Sequence, residues 1–513
     1  MIPSRAIACW LALLLTTVAG PVAHAGSIFD TARSIPDDVD FLFVLDDAVS
    51  LRARSEGRHA EALLTSASSL SPLTATLRRQ WNDLAEALAF DDAQRMFDEL
   101  FGTQMVIASR MAPDGAQDTV LISALSEDMQ ARIRKRLVPV PRGVYGNYNI
   151  LKPRDDENFS MVLDRRKGGA TLYMSLTARD ALLREVLDLS ADNQAPRFAD
   201  RDVIPELRAL HRAPVAYAYV NARRYLPMSA QQWIAGTVAA TQDDGRLELR
   251  FAGRLLDDVK HPLFEPFWSG AMYERWQRAA YVVMLGSSGI DNITKMLLGE
   301  RLPIERIEQT APRQILGMRR ALVVTPGADN GPLDVTWASE LRDPKFAARV
   351  GDAVVERTLV DLAPIDHRDD FRFGYSGIFP EAIRTADVSL IAEHRDPGAW
   401  AYGSTLAWTY RTSKASDAER SWLTIGLGTD LVKLLADDLA ADEPEAPVRP
   451  HLSVGTIRLG ALRRDLERQG LPMSGILDLL ASRIEKVSWE THRTPTLIIG
   501  EAAIEFVGGE PGR

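Results

Sequence analysis

Two short stretches carry residue types that could do chemistry. Asp366-His367-Arg368-Asp369-Asp370 is the densest run of ionisable groups in the chain. A carboxylate beside a histidine can tune a general base. Such tuning needs an apolar surround, and this run is itself strongly polar, so it reads as a solvated loop. Gly286-Ser287-Ser288-Gly289 sets serines between glycines at the end of an apolar run. The G-x-S-x-G spacing of a nucleophile elbow is missing, and small residues at a strand-to-helix turn account for it. There is no P-loop, and no G-x-G-x-x-G opening a helix after a strand.

Metal chemistry is equally sparse along the sequence. Seven histidines follow the first 25 residues: His59, His211, His261, His367, His394, His451 and His492. None lies three to five residues from another, so no local zinc pair is written in the sequence. Ligands converging from distant segments stay open. Asp437-Asp438 and Asp442-Glu443-Glu445 could attract calcium. They lack the D-x-D-x-D-G order of a calcium loop, and the neighbouring prolines suggest a linker. Arg132–Arg136 could bind an anion and equally reads as a solvated helix end. No catalytic residue, metal ligand or cofactor is assigned.

The remaining candidate is aromatic. His261–Trp276 (HPLFEPFWSGAMYERW) gathers Phe264, Phe267, Trp268, Tyr273 and Trp276. Packing between two domains is one reading. The functional reading is an exposed platform for an apolar ligand or a partner.

The N-terminus sets where these residues work. Met1–Arg5 is a short basic start, Ala6–Gly20 an apolar run, and Ala23-His24-Ala25 a small-x-small cleavage site. That order predicts a secretory signal peptide at 1–25. The run is short of the ~20 residues that span a bilayer comfortably, though a retained anchor stays open. The single cysteine, Cys9, lies inside this segment. A cysteine-free mature chain excludes disulfides, thiolate metal sites and cysteine nucleophiles. The net charge of -10 argues against nucleic acid and anionic membrane surfaces. Only nine of the 60 basic residues are lysine. Scattered arginines of this kind fit a GC-rich bacterial genome. Together these features predict a periplasmic or secreted protein with no transmembrane segment after signal removal.

The rest reads as two copies of one plan. Asp40–Leu45 predicts a strand, followed by a stretch of helical character to Phe101. Gln104–Arg110 and Thr119–Leu125 form a hairpin around Pro113-Asp114-Gly115. Ser126-Glu127-Asp128 caps a helix to about Leu137. Phe159–Leu163 and Ala170–Leu176 form a second hairpin, and Thr177–Asp180 is a capping box for a helix to Leu189. Val215–Val220 is a strand, Asn221 opens a helix to about Ala240, and Gly245–Leu255 alternates as a strand.

The order then repeats. A strand at Ala280–Leu285 precedes a helix around Ile293–Leu298. Ala321–Thr325 and Leu333–Trp337 form a hairpin with a helix at about Pro344–Leu359. Ala401–Tyr410 and Trp422–Leu427 form another, leading into a helix at Asp430–Leu439. His451–Leu459 is a strand, Ala461–Gln469 a helix and Thr496–Val507 a closing strand. Leu42 to Val215 and Tyr281 to Leu452 span nearly equal lengths, which supports a duplication.

At Ile35-Pro36-Asp37 before Phe41-Leu42-Phe43-Val44, and again at Val215–Asn221, the chain resembles a family of secreted bacterial proteins of unknown function. The resemblance implies a duplicated α+β architecture and transfers no functional residue.

The expected fold is therefore α+β, with two related domains at 26–258 and 280–513 joined by an aromatic segment at 259–279. Each is a mainly antiparallel sheet with helices on one face. The expected function is non-enzymatic binding or scaffolding in the cell envelope, with an envelope protein or an apolar ligand as partner. A carrier of lipid or another apolar ligand, and an envelope hydrolase with a dispersed site, are the alternatives.

Overall fold

A computed structural model describes residues 32–46, 82–86, 88, 90–102, 104–112, 116–153, 159–166, 169–177, 179–191, 196–200, 216–221, 233–243, 246–255, 270–287, 316–327, 333–341, 355–357, 359–361, 373–376, 383–387, 405–413, 420–441, 451–471, 473 and 475–507. Residues 1–25, where the sequence predicts a signal peptide, lie outside them. The chain divides into two compact units, Met1–Val259 with Pro495–Arg513, and Lys260–Thr494.

The first unit is built around β1 (Phe41–Asp46), whose FLFVL run is rich in the aromatic and β-branched residues that favour strands. Further strands are β2 (Gln104–Met111), β3 (Gln117–Leu125), β4 (Leu137–Tyr145), β5 (Tyr148–Pro153), β6 (Ser160–Arg166), β7 (Gly169–Ser175), β8 (Ala216–Asn221), β9 (Trp233–Asp243) and β10 (Arg246–Leu255). Their order across the sheet is β4-β5-β6-β7-β3-β2-β1-β8-β9-β10, antiparallel at every step. The helices are α1 (Ala93–Phe101), α2 (Glu127–Arg134) and α3 (Ala181–Ala191).

Both faces of this sheet are covered. Phe41 to Leu45 are each at most 1 % exposed, although neighbours on a strand point to opposite faces. On β3, Ile122 joins the core cluster of Leu182, Leu183 and Val186 from α3. Its neighbour Ser123 points the other way and donates to the carbonyl of Leu100 in α1. Helices thus lie on opposite faces of β3, where the sequence predicts one.

The second unit holds β11 (Val282–Ser287), β12 (Leu316–Pro326), β13 (Leu333–Leu341), β14 (Phe373–Ser376), β15 (Ile383–Asp387), β16 (Thr405–Ser413), β17 (Arg420–Leu427), β18 (His451–Ile457) and β19 (Ile484–Arg493). Its order is β14-β15-β16-β17-β13-β12-β11-β18-β19, again antiparallel throughout. It carries α4 (Gly270–Ala279), α5 (Thr429–Ala441), α6 (Leu459–Arg468) and α7 (Gly475–Ala481). Leu431, Leu435 and Leu439 of α5 pack with Met272 and Trp276 of α4 against Val283, Val323 and Ala338. Trp337, beside Ala338, points to the opposite face and is 0 % exposed, so that face is covered too.

Numbered within its own unit, the second unit's nine strands follow the same order as the first nine of the first unit, which adds β10 beyond β9. Two backbone hydrogen bonds recur at matching places. In the first unit Asp40 N–H donates to Ser109 and Asn221 N–H to Asp40; in the second, Tyr281 N–H donates to Val324 and Arg458 N–H to Tyr281.

The last strand, β20 (Leu497–Phe506), pairs antiparallel with β10 from Arg246↔Glu505 to Arg254↔Leu497 and so completes the first unit. The sequence reading places it with the second half, from chain order alone. The helix expected between Asn221 and Ala240 differs as well: residues 233–240 belong to β9. WIAGTVAATQD holds three alanines, yet Trp233, Ile234, Thr237, Val238 and Thr241 favour a strand, and it pairs with β8 and β10 on either side. Helices expected at Ile293–Leu298 and in the first part of Pro344–Leu359 lie outside the described residues.

Candidate functional site

Of the aromatic candidates, Phe264, Phe267 and Trp268 lie outside the described residues. Tyr273 and Trp276 lie on α4 at i and i+3, on one helical face. Trp276 is 8 % exposed, and its indole N–H donates to Asp438 of α5 at 2.9 Å. Burial pushes the Asp438 carboxyl up; Arg275 and the Trp276 indole oppose that. Tyr273 shares a hydroxyl–hydroxyl hydrogen bond with Thr456 of β18. Both side chains therefore pin α4 to α5 and the sheet within the second unit.

The other sequence candidates scatter. Residues 366–370 and 442–445 lie outside the described residues. Arg132 is paired with Glu99 of α1 at 2.5 Å and stacks over Phe90. Asp437 accepts from Arg411 at 3.1 Å. Gly286 and Ser287 end β11.

A group that sequence spacing could not reveal forms where β18 meets β19. His451, Glu490 and His492 each place one ligand-capable atom within 4.8 Å of the others. Glu490 and His492, two apart on β19, share a face. His451 is the first residue of β18 and stands opposite His492. The register between the strands shifts between His451 and Ser453, leaving Leu452 as the extra residue of a β-bulge. Bulges of this kind re-aim a side chain beside a site. Were the register of Ser453↔Thr491 continued, His451 would oppose Arg493 and not His492.

The surrounding pair is pinned on both sides. Trp489 Nε1 donates to Ser453 Oγ at 3.0 Å, and Thr491 Oγ1 donates to the Ser453 carbonyl at 3.1 Å. The imidazole rings of His451 and His492 lie 4.5 Å apart at 41°. His451 Nδ1 is 4.0 Å from Glu490 Oε2, and His492 Nε2 is 3.5 Å from Glu490 Oε1. The histidine side chains are 13 % and 22 % exposed. Burial, and then the neighbouring His492, push the His451 imidazole down, against the pull of Glu490. Two imidazoles and a carboxylate form a donor set for a metal ion or a short proton relay.

β19 is one of the elements the sequence reading lacks. Its IEKVSWETHR alternates Glu485, Val487, Trp489, Thr491 with Lys486, Ser488, Glu490, His492, which is a period-2 signal. Only its pairing with β18 then joins the two histidines.

No protein-family model matches the chain. No curated protein matches it either. Among solved structures, crystal form III of TP0453 is similar with a TM-score of 0.27 and 7% identity, over 49% of this chain and 87% of that one. Crystal form I of TP0453 has a TM-score of 0.27 and 9% identity, over 45% and 80%. A likeness at this level carries no argument about fold or activity. No helix among the described residues is long and apolar enough to cross a membrane.

Proposed function

We propose that this chain is an exported, non-enzymatic binding or scaffold protein of the cell envelope. The observation that supports the reading is the closure of the central strands on both faces. Phe41–Leu45 in the first unit, and Val282–Leu285 in the second, are at most 1 % exposed. A carrier needs an apolar space of several hundred Å³ for its ligand; these strands have almost no exposed surface with which to line one. A scaffold offers its edges and outer polar faces to partners and keeps its sheets solid. The N-terminal sequence order supports export.

The second part of the proposal is descent from a duplication. The shared strand order and the matching bond pairs at Asp40 and Tyr281 support it. So does the agreement of core positions: Leu42 and Val44 with Val283 and Leu285, Val106 and Ala108 with Ala321 and Val323.

The test is native mass spectrometry of protein purified from the periplasmic fraction, followed by solvent extraction. The expected result is a mass beginning at Gly26 with no stoichiometric lipid. One bound lipid per chain would overturn the scaffold reading in favour of the carrier. A mass retaining Met1–Ala25 would overturn cleavage.

A further inference from the structure

Buried polar atoms are nearly always partnered, in roughly 90% of cases or more. Among the described residues, His451 Nδ1 and His492 Nδ1 are buried nitrogens without a hydrogen-bond partner. His451 Nδ1 faces a carboxylate oxygen at 4.0 Å, beyond hydrogen-bond reach. With a lone pair on that nitrogen, lone pair opposes carboxylate, and a cation between the two groups relieves the repulsion by taking both as ligands. The bulge at Leu452, which turns His451 toward His492, is a separate observation pointing to the same place.

We propose that His451, Glu490 and His492 form a binding site for one divalent transition-metal ion of the zinc class. Two imidazoles and one carboxylate are borderline ligands that suit zinc, copper, nickel or iron rather than the all-oxygen sets of calcium and magnesium. Ligands about 2.0–2.2 Å from a tetrahedral zinc stand roughly 3.4 Å apart. The present spread of up to 4.8 Å closes to that by a side-chain movement of about 1–1.5 Å. Glu490, 46 % exposed, has the freedom to make it. Three protein ligands leave one position for water or an external group. The ion would clip the start of β18 to the end of β19. The site lies within the second unit and does not depend on the scaffold reading.

The experiment uses the full mature chain, stripped with a chelator, and Zn²⁺ alone as the probe. Equilibrium dialysis is followed by melting curves with and without zinc. The expected result is one zinc per chain, a raised melting temperature, and binding weakened about 10–100-fold in His451→Ala and in His492→Ala. Glu490→Gln is the second variant: its side chain is half exposed, so it stays folded if a histidine variant does not. It should weaken binding about tenfold and shrink the zinc-induced melting shift. Unchanged affinity and stoichiometry in Glu490→Gln and in folded His451→Ala would overturn the proposal. So would the absence of uptake by the parent chain at about 1 mM zinc, where binding is worth only about 4 kcal/mol.

Discussion

The ring of Trp489 lies flat against Gly455 on the neighbouring strand, where a Cβ would find no room. The glycine thus lets an indole cross the β18–β19 pair, and the indole N–H then reaches Ser453 Oγ. Gly455→Ala should displace the ring and break that bond. Overpacking of this kind costs about 1–3 kcal/mol. The expected outcome is a lower melting temperature with altered tryptophan fluorescence. An unchanged melting temperature would refute the contact.

Asp118, 3 % exposed on β3, accepts a hydrogen bond from Leu182 N–H at 2.8 Å in the first turn of α3. A carboxylate there satisfies an orphan donor and meets the positive end of the helix dipole. Asp118→Ala should cost at least the ~1–2 kcal/mol of a lost N-cap. Asp118→Asn, which keeps an acceptor, should recover part. Urea denaturation of both variants checks this; equal loss in both would show that shape rather than capping matters.

That cap also marks the limit of sequence reading. Thr177–Asp180 reads as a local capping box. Yet α3 begins at Ala181, Asp180 pairs forward with Arg184 at 2.7 Å, and the cap comes from Asp118 on another strand. Where the signal was local, it held: Ser126 Oγ does accept from Met129 N–H at the start of α2. The hairpins β2–β3, β6–β7, β12–β13 and β16–β17 were legible from alternation and turns. β4 and β5 were not, because Pro139 and Pro141 break the pattern and the chain turns at Gly146, whose φ is 56°. The His451–Glu490–His492 group was hidden for a different reason. Its geometry belongs to strand pairing, and no spacing along one strand encodes it.

Asp438 provides a pH signature. Burial raises its carboxyl above the ordinary value near 3.9. The folded chain therefore keeps this proton to higher pH than the unfolded chain does. Stability from this group is present at low pH and is lost as pH rises through the raised value. Asp438→Asn still offers an oxygen to the Trp276 indole and does not titrate. Its stability relative to the parent should improve as pH rises from about 3.5 to 6, measured by urea melts at several pH values. A difference that is flat, or that falls with pH, would contradict the sign.

The C-terminal strand is the most decisive structural test. Nine residues of β20 pair with β10, and Leu247 and Leu249 of β10 are buried, at 1 % and 8 % exposure. Phe251 lies over Gly500 across the pair, where no Cβ would fit. Removing 495–513 would leave the edge of β10 with unpaired backbone donors and acceptors, a template for association with other chains. The truncated protein should therefore lose stability and aggregate. A synthetic peptide spanning Leu497–Phe506, added in excess, should bind and restore the melting transition by mass action. Truncated protein that stays monomeric with the parent melting curve would show that β20 is dispensable to the first unit.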